Sequence, residues 1–202
     1  MIERSIRLGL TTGDPPRYNI APDQHAAVVT STGEVSMRWG LLAPWRGHGG
    51  KRGPMIVLAR RENIARTPLI RNAFKKQRVA IRADGFYAWR KIGKKSQPYW
   101  IHAPGEIAFA GVWAVHKDDG VESFALLVGP ANALVAPIDA EMPFVVDRGW
   151  VGAAPDDALA RLASWNPAGW RADAVSTWVN SVDHDDEKCI EILGNAAQGE
   201  LF

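Results

Sequence analysis

Residues 60–62 read Arg-Arg-Glu. Two adjacent guanidinium groups are planar forks that match phosphate or carboxylate oxygens two at a time. Beside Glu62, Arg60 has two uses: a phosphate contact, or an ion pair with that glutamate that only shapes its surroundings. Residues 83–90 read Ala-Asp-Gly-Phe-Tyr-Ala-Trp-Arg. An acid and a turn glycine lead an aromatic run, and Ala88, which carries no functional group, interrupts it. Asp139 has the type for a general base and equally for a solvated turn residue. The single thiol is Cys189, close to the acidic run Asp183-His184-Asp185-Asp186-Glu187. Negative neighbours raise a thiol pKa and blunt its reactivity, so a structural role is expected for it.

Other chemistries find no support in the spacing. His25, His48, His102, His116 and His184 show no metal-ligand pattern. One cysteine excludes an intrachain disulfide and a cysteine-cluster zinc site. There is no Gly-rich phosphate loop, Gly-x-Ser-x-Gly elbow or His-Glu-x-x-His. No metal or cofactor is expected.

Charge points toward a polyanion. The chain has 202 residues and a net charge of +2, but residues 1–100 hold 19 Lys/Arg against 6 Asp/Glu. Residues 101–202 hold 5 against 16. Residues 46–95 alone carry 15 basic and 2 acidic side chains. Such asymmetry suggests nucleic acid, unless both halves interleave in one fold and the field cancels. Lys91, Lys94 and Lys95 read as a solvated hairpin tip adding diffuse charge. Nine tryptophans include candidates for base stacking, Trp45 between Pro44 and Arg46 among them, with most of the rest assigned to packing.

The elements that must position these groups are mostly strands. His25–Thr30 and Glu34–Leu41 flank Ser-Thr-Gly as a hairpin. Thr67-Pro68, followed by Leu69, Ile70, Ala73 and Phe74, reads as an N-cap, a first-turn proline and one buried helix face. Strands are expected at Val79–Ala83, Phe86–Arg90, Gln97–His102, Ile107–Val115, Glu122–Val128 and Ala174–Val179. A short helix is expected at Pro155–Ala163. The sum is an α+β, strand-dominated single domain over residues 1–202, with a curled or barrel-like mixed sheet and a few peripheral helices. The start carries Glu3, Arg4 and Arg7 and does not read as a signal peptide. No stretch approaches the roughly 18 apolar residues of a membrane span. The expectation is a cytoplasmic protein.

Several segments in order carry a resemblance: Pro16-Arg17-Tyr18-Asn19-Ile20-Ala21-Pro22, Met37-Arg38-Trp39-Gly40-Leu41, Ala59-Arg60-Arg61-Glu62, Ala83-Asp84-Gly85-Phe86-Tyr87, Gln97-Pro98-Tyr99, Phe109-Ala110-Gly111-Val112-Trp113, Met142-Pro143 and Val175-Ser176. Together they resemble the SOS-response-associated peptidase (SRAP) family, from Arg4 to about Asn180, leaving an acidic C-terminal segment at 181–202. The resemblance implies a sensor of abasic sites in single-stranded DNA. In the family a cysteine after the initiator methionine closes a thiazolidine ring with the abasic aldehyde, assisted by a glutamate, a histidine and an asparagine. The same site is proposed to release a leader peptide or a cross-link.

Carried over position by position, the chemistry is missing. The cysteine position holds Ile2, the glutamate position Ala88, the histidine position Asp139 and the asparagine position Leu58. Arg4, Pro22, Trp39, Arg60 and Glu62 keep the expected identity and are the candidate DNA-binding residues. Glu141 stands where the family has an arginine, a charge reversal that weakens phosphate binding nearby. A thiazolidine needs a 1,2-aminothiol, which Ile2 cannot provide. A large second residue is expected to leave Met1 in place, and its α-amine, with an ordinary pKa of about 8, could still form a hydrolysable Schiff base. General acid–base help of about 10²–10⁴-fold has no obvious source. Three readings stay open: a DNA binder that has shed the covalent step, a residual Schiff-base, lyase or peptidase-type enzyme, and a protein-interaction module with no DNA role.

Overall fold

The computed structural model describes residues 6–43 and 55–194. Its ten strands are β1 (Arg7–Leu10), β2 (Arg17–Ile20), β3 (His25–Thr30), β4 (Gly33–Trp39), β5 (Leu58–Arg60), β6 (Arg78–Ile92), β7 (Lys95–Val115), β8 (Glu122–Pro130), β9 (Glu141–Pro143) and β10 (Arg171–Ala174). The helices are α1 (Asn63–Arg66), α2 (Pro68–Lys76) and α3 (Pro155–Arg161). Strands β7, β8, β4, β3 and β6 pair in that order, and β6 pairs back to β7, closing a five-stranded barrel. The other strands extend its rim: β1 and β2 follow β6, β10 follows β7, and β5 and β9 both add to β8.

The β6–β7 hairpin is the frame. It runs in register from Arg78 opposite Val112 to Ile92 opposite Lys95. The one break falls at Asp84: Ala83 faces Ile107, and Gly85 then faces His102. Two expected pairs of short strands are therefore two long ones. Ala103-Pro104-Gly105 does not reverse the chain; it bulges out of β7 opposite Asp84, with Gly105 at φ 83. Because side chains alternate with a period of two, one extra residue moves the following set to the other face. Val79, Ile81 and Ala83 point into the barrel, and so do Phe86 and Ala88, one step out of phase. Tyr87 and Trp89 are turned outward into a separate cluster with Trp100, Val175, Val179 and Cys189.

The barrel interior is filled by Leu8, Val28, Met37, Trp39, Ile81, Phe86, Phe109, Phe124 and their neighbours. Phe86 and Phe109 meet edge to face at 5.8 Å. Outside, α2 lays Leu69, Ile70, Ala73 and Phe74 against β6–β8. Thr67 and Pro68 open α2 as expected, although the Thr67 side chain makes no capping bond. Buried Arg78 then ties the end of α2 to the segment after it, donating to the carbonyls of Phe74, Trp150, Val151 and Ala153.

The C-terminal segment closes the other side. The late strand expected at Ala174–Val179 lies earlier, at Arg171–Ala174, and Thr177–Asn180 turns into a short 3-10 helix. That helix is held from beneath. Arg7, buried over the Trp89 ring, donates to the carbonyls of Val179 and Asn180. Asn19 donates to Val179, Ser181 and His184 and accepts from Arg7. These polar demands, met only by a curled chain, override the local strand preference.

Gly85 and Gly9 face each other across β6 and β1, with the Trp100 ring above both. A Cβ on Gly85 would lie 2.5 Å from that ring and 2.7 Å from the Ile101 carbonyl oxygen. Gly85→Ala is therefore expected to destabilise the fold by about 2–3 kcal/mol through overpacking. Urea unfolding measures it; a midpoint equal to wild type would remove Trp100 as the reason for glycine here.

Candidate functional site

Three positions singled out in the sequence, Ala88, Leu58 and Asp139, lie in or beside the barrel interior. Ala88 is 1% exposed and belongs to the interior apolar cluster. Leu58, at the start of β5, and Ile138, beside Asp139, pack against the same cluster. The positions at which the resemblance calls for glutamate and asparagine thus carry hydrocarbon that joins the core. Asp139 lies on the loop facing the hairpin. Trp89, Arg90 and Lys91 form one wall of a cup of about 380 Å³, and Pro137, Ile138, Asp139 and Ala140 form the other. An Asp139 carboxylate oxygen accepts from the backbone N–H of Glu141 at 3.2 Å, fixing the turn into β9.

Arg60 is not paired with Glu62. Strands β5 and β9 flank the end of β8, with Arg60 beside Val128 and Glu141 beside Pro130. Across that strand Arg60 grips Glu141 with both arms, Nε to one carboxylate oxygen at 2.5 Å and Nη2 to the other at 3.1 Å. This hydrogen bond raises the Arg60 pKa, with the Glu141 charge adding to it. The alternative reading of an Arg60–Glu62 pair is not borne out: Glu141 takes the guanidinium instead. Glu62 is exposed at the start of α1. With Arg61 it borders a neighbouring cup of about 340 Å³ lined by Ile64, Ala65, Pro130 and Leu159.

The groove role expected for Trp39 is also corrected. Trp39 is 0% exposed, stacked on Phe124 at 6.1 Å, and its indole N–H donates to the Val57 carbonyl at 3.0 Å. No base can reach a ring enclosed in this way. Pro22 is buried too, and its neighbour Asp23 takes the Trp39 carbonyl by its backbone N–H. Arg4, Ile2, Met1 and Trp45 lie outside the described residues.

The retained motifs turn out to be joints of the scaffold. Asp84 accepts from the Thr11 hydroxyl and the Thr12 N–H at 2.7 and 2.9 Å, pinning the end of β1 at the bulge. Gln97 donates to the Val175 carbonyl at 2.7 Å. Met142-Pro143 forms β9, and the Pro143 carbonyl accepts from the Trp165 indole. Cys189 is fully buried in the outer aromatic cluster. Burial raises its thiol pKa against a backbone hydrogen bond with Asp186 that lowers it, and the charges of Asp186 and Asp185 add to the rise. Sequence reasoning had named only the acids. It also missed Arg7 and Asn19, whose side chains gave no sign of the carbonyls they would meet across more than 150 residues.

Among the described residues, no group of three or more His, Cys, Asp and Glu could hold a metal ion, and no helix is long and apolar enough to cross a membrane.

Fold and site together define a strand barrel filled by apolar side chains, with an arginine–glutamate fork across the end of β8. The chain belongs to the SOS response associated peptidase (SRAP) family, whose model matches residues 5–197. It is 26% identical over 193 residues to the abasic site processing protein YoaM of Bacillus subtilis, covering 87% of this chain and 85% of that one. It is 25% identical to the abasic site processing protein HMCES of Gallus gallus, covering 87% and 66%. A crystal structure of a Bacteroides thetaiotaomicron protein shares the fold with a TM-score of 0.72, at 19% identity and 85% and 82% coverage.

Restoring a carboxylate at the apolar position should be costly. Ala88→Glu is expected to lose about 3 kcal/mol at pH 7, since an unpaired buried carboxyl is penalised. Burial raises that carboxyl's pKa, so the folded state binds its proton more tightly than the unfolded chain. Stability then falls as pH rises through the raised pKa, and the deficit at pH 7 should narrow at pH 5. Urea unfolding at both pH values tests this; equal stability of variant and wild type at pH 7 would show that the site accepts a charge.

Proposed function

We propose that this chain acts in the cytoplasm as a non-covalent reader of single-stranded or abasic DNA, a member of its family that has given up the thiazolidine step. The observation that carries this reading is the place of the thiol. The chain's only cysteine is Cys189, buried among Tyr87, Trp89 and Trp100, while Ile2, Ala88 and Leu58 stand at the positions that would capture an aldehyde and move its protons. A thiazolidine joins one carbon to both an amine and a thiol, and no such pair is available. Family membership and the abasic-site relatives support DNA as the ligand, as does the basic segment 46–95. The binding term that survives is electrostatic, from exposed cations such as Arg61, Lys91, Lys94 and Lys95. The Arg60–Glu141 fork withholds one further phosphate contact.

Denaturing electrophoresis with a single-stranded abasic oligonucleotide, beside a native shift at two salt concentrations, tests the reading. The expected result is a salt-sensitive shift without a heat-stable adduct. A heat-stable band without borohydride would overturn it by showing that some group still closes a stable bond. A band only after borohydride would assign the reaction to an amine and a Schiff base. No shift at low salt would leave a protein-interaction module.

The fork makes a second prediction. In Glu141→Gln the neutral amide releases Arg60, and single-strand affinity is expected to rise about 3–10-fold with a salt slope steeper by about one phosphate. Adding Arg60→Ala should cancel the gain. Unchanged affinity in Glu141→Gln would place Arg60 away from the strand.

A further inference from the structure

Several arginines on the described surface are already engaged. Arg17, Arg38, Arg60, Arg82, Arg161 and Arg171 each hold a carboxylate. The α1–α2 unit differs. Between Glu62 and Asp84 the chain has no acid at all. Arg66 at the end of α1, and Arg71, Lys75 and Lys76 on α2, are exposed, and no ion pair engages any of them. The opposite side of α2, Leu69, Ile70, Ala73 and Phe74, is packed on the barrel. The solvent face of α2 beyond Pro68 is thus Arg71, Asn72, Lys75 and Lys76, held on a rigid element.

Helix stability does not account for this pattern. Cations in a last turn complement the helix dipole, which suits Arg66, Lys75 and Lys76. The same argument asks for acids in the first turn, and neither helix has one. Arg71, in the middle of α2, gains nothing from the dipole.

We propose that the outer face of α1–α2 is a second nucleic-acid surface that takes the phosphate backbone of duplex DNA. This rests on the reading above only in taking nucleic acid as the ligand. Three features select the partner. The face has no apolar or aromatic anchor of the kind that dominates protein interfaces. It has no hydrophobic side chain free to enter a lipid surface, because the apolar side of α2 is spent on the core. It has no exposed ring on which an unpaired base could stack, the usual device for single strands. A duplex offers only phosphates at its outer wall. Along the roughly 13 Å of α2 it presents about eight negative charges. Arg71 and Lys75, one turn apart, form a stripe along which a backbone can lie, and Asn72 adds an amide donor. Contacts of this kind position a protein on DNA without reading sequence.

The test compares wild type with Arg66→Gln/Arg71→Gln/Lys75→Gln/Lys76→Gln, substitutions on an exposed face by good helix formers. Fluorescence anisotropy with a blunt 20-base-pair duplex and with a single strand of the same sequence is run from 50 to 200 mM salt. Far-ultraviolet circular dichroism and the melting temperature confirm the fold of the variant. Duplex affinity is expected to fall at least tenfold at 100 mM salt. The slope of log affinity against log salt should become shallower by about three, at about 0.9 per phosphate. Single-strand affinity should change less than threefold. A control, Arg161→Gln/Arg171→Gln, should leave duplex binding unaltered. Unchanged duplex binding in the quadruple variant overturns the proposal, and so does a wild type that binds single strands but no duplex. Equal loss on both DNA forms also overturns it, by making these cations part of one general field. Binding of wild type to vesicles containing a quarter anionic lipid, without duplex binding, would reassign the face to membranes. A wild type that binds duplex through these residues but no single strand would support this surface and sink the reading of the barrel mouth.

Discussion

Everything about the mouth of this barrel depends on one irregularity in strand pairing. The β6–β7 ladder runs without interruption except at Asp84, where one residue of β6 faces the excursion Ala103–Glu106 of β7. That step reverses the alternation of β6. Without it Tyr87 and Trp89 would point into the barrel, and Phe86 and Ala88 would face outward. The bulge also frees the second half of β6 to pair with β1, while its first half stays on β3. Asp84 stabilises the break by bonding the end of β1, and the facing Gly9 and Gly85 leave the thickness that Trp100 needs. The aspartate and glycine of the 83–90 run are therefore conditions for the site and not members of it.

This separation explains what the family segments of the chain do for the fold. Asp84 and Gly85 set the bulge, Asn19 holds the C-terminal turn, Gln97 holds Val175, and Met142-Pro143 make the strand beside β8. Each bonds backbone or fills space, so its contribution is to folding. Ala88 and Leu58 place hydrocarbon in the cluster of Trp39, Phe86 and Phe124, where a polar group would carry a desolvation cost.

What could be read from the sequence follows the same division. Periodicity located α2, the β3–β4 hairpin and the strand-rich middle, because a buried face leaves its period in the residues that make it. The barrel-like sheet was readable from strand count and turn spacing. The short strands β1, β2, β5 and β9 were not, since three or four residues carry no period. Pro104-Gly105 looked like a chain reversal and is a bulge; the distinction lies in what β6 offers opposite it. Trp39 matched a groove residue by motif and fills the barrel by geometry. The partner of Arg60 was out of reach for a further reason: Glu141 comes within bonding distance only because β5 and β9 add to the same strand from opposite sides.

The charge split of the sequence also acquires a structural meaning. The acidic second half does cancel part of the basic first half, through specific pairs: Asp185 on Arg17, Glu106 on Arg82 and Glu141 on Arg60. Exposed pairs of this kind add little stability, but they remove arginines from the supply open to phosphates. The cancellation does not reach Arg66, Arg71, Lys75 and Lys76, since the chain has no acid between Glu62 and Asp84. Averaging the field over the molecule would hide this, because a net charge of +2 describes neither the Arg60–Glu141 pair nor the uncompensated helix face. A polyanion meeting this protein therefore finds unshielded charge on the outer wall of the barrel too, on an element whose apolar side is already committed to the core.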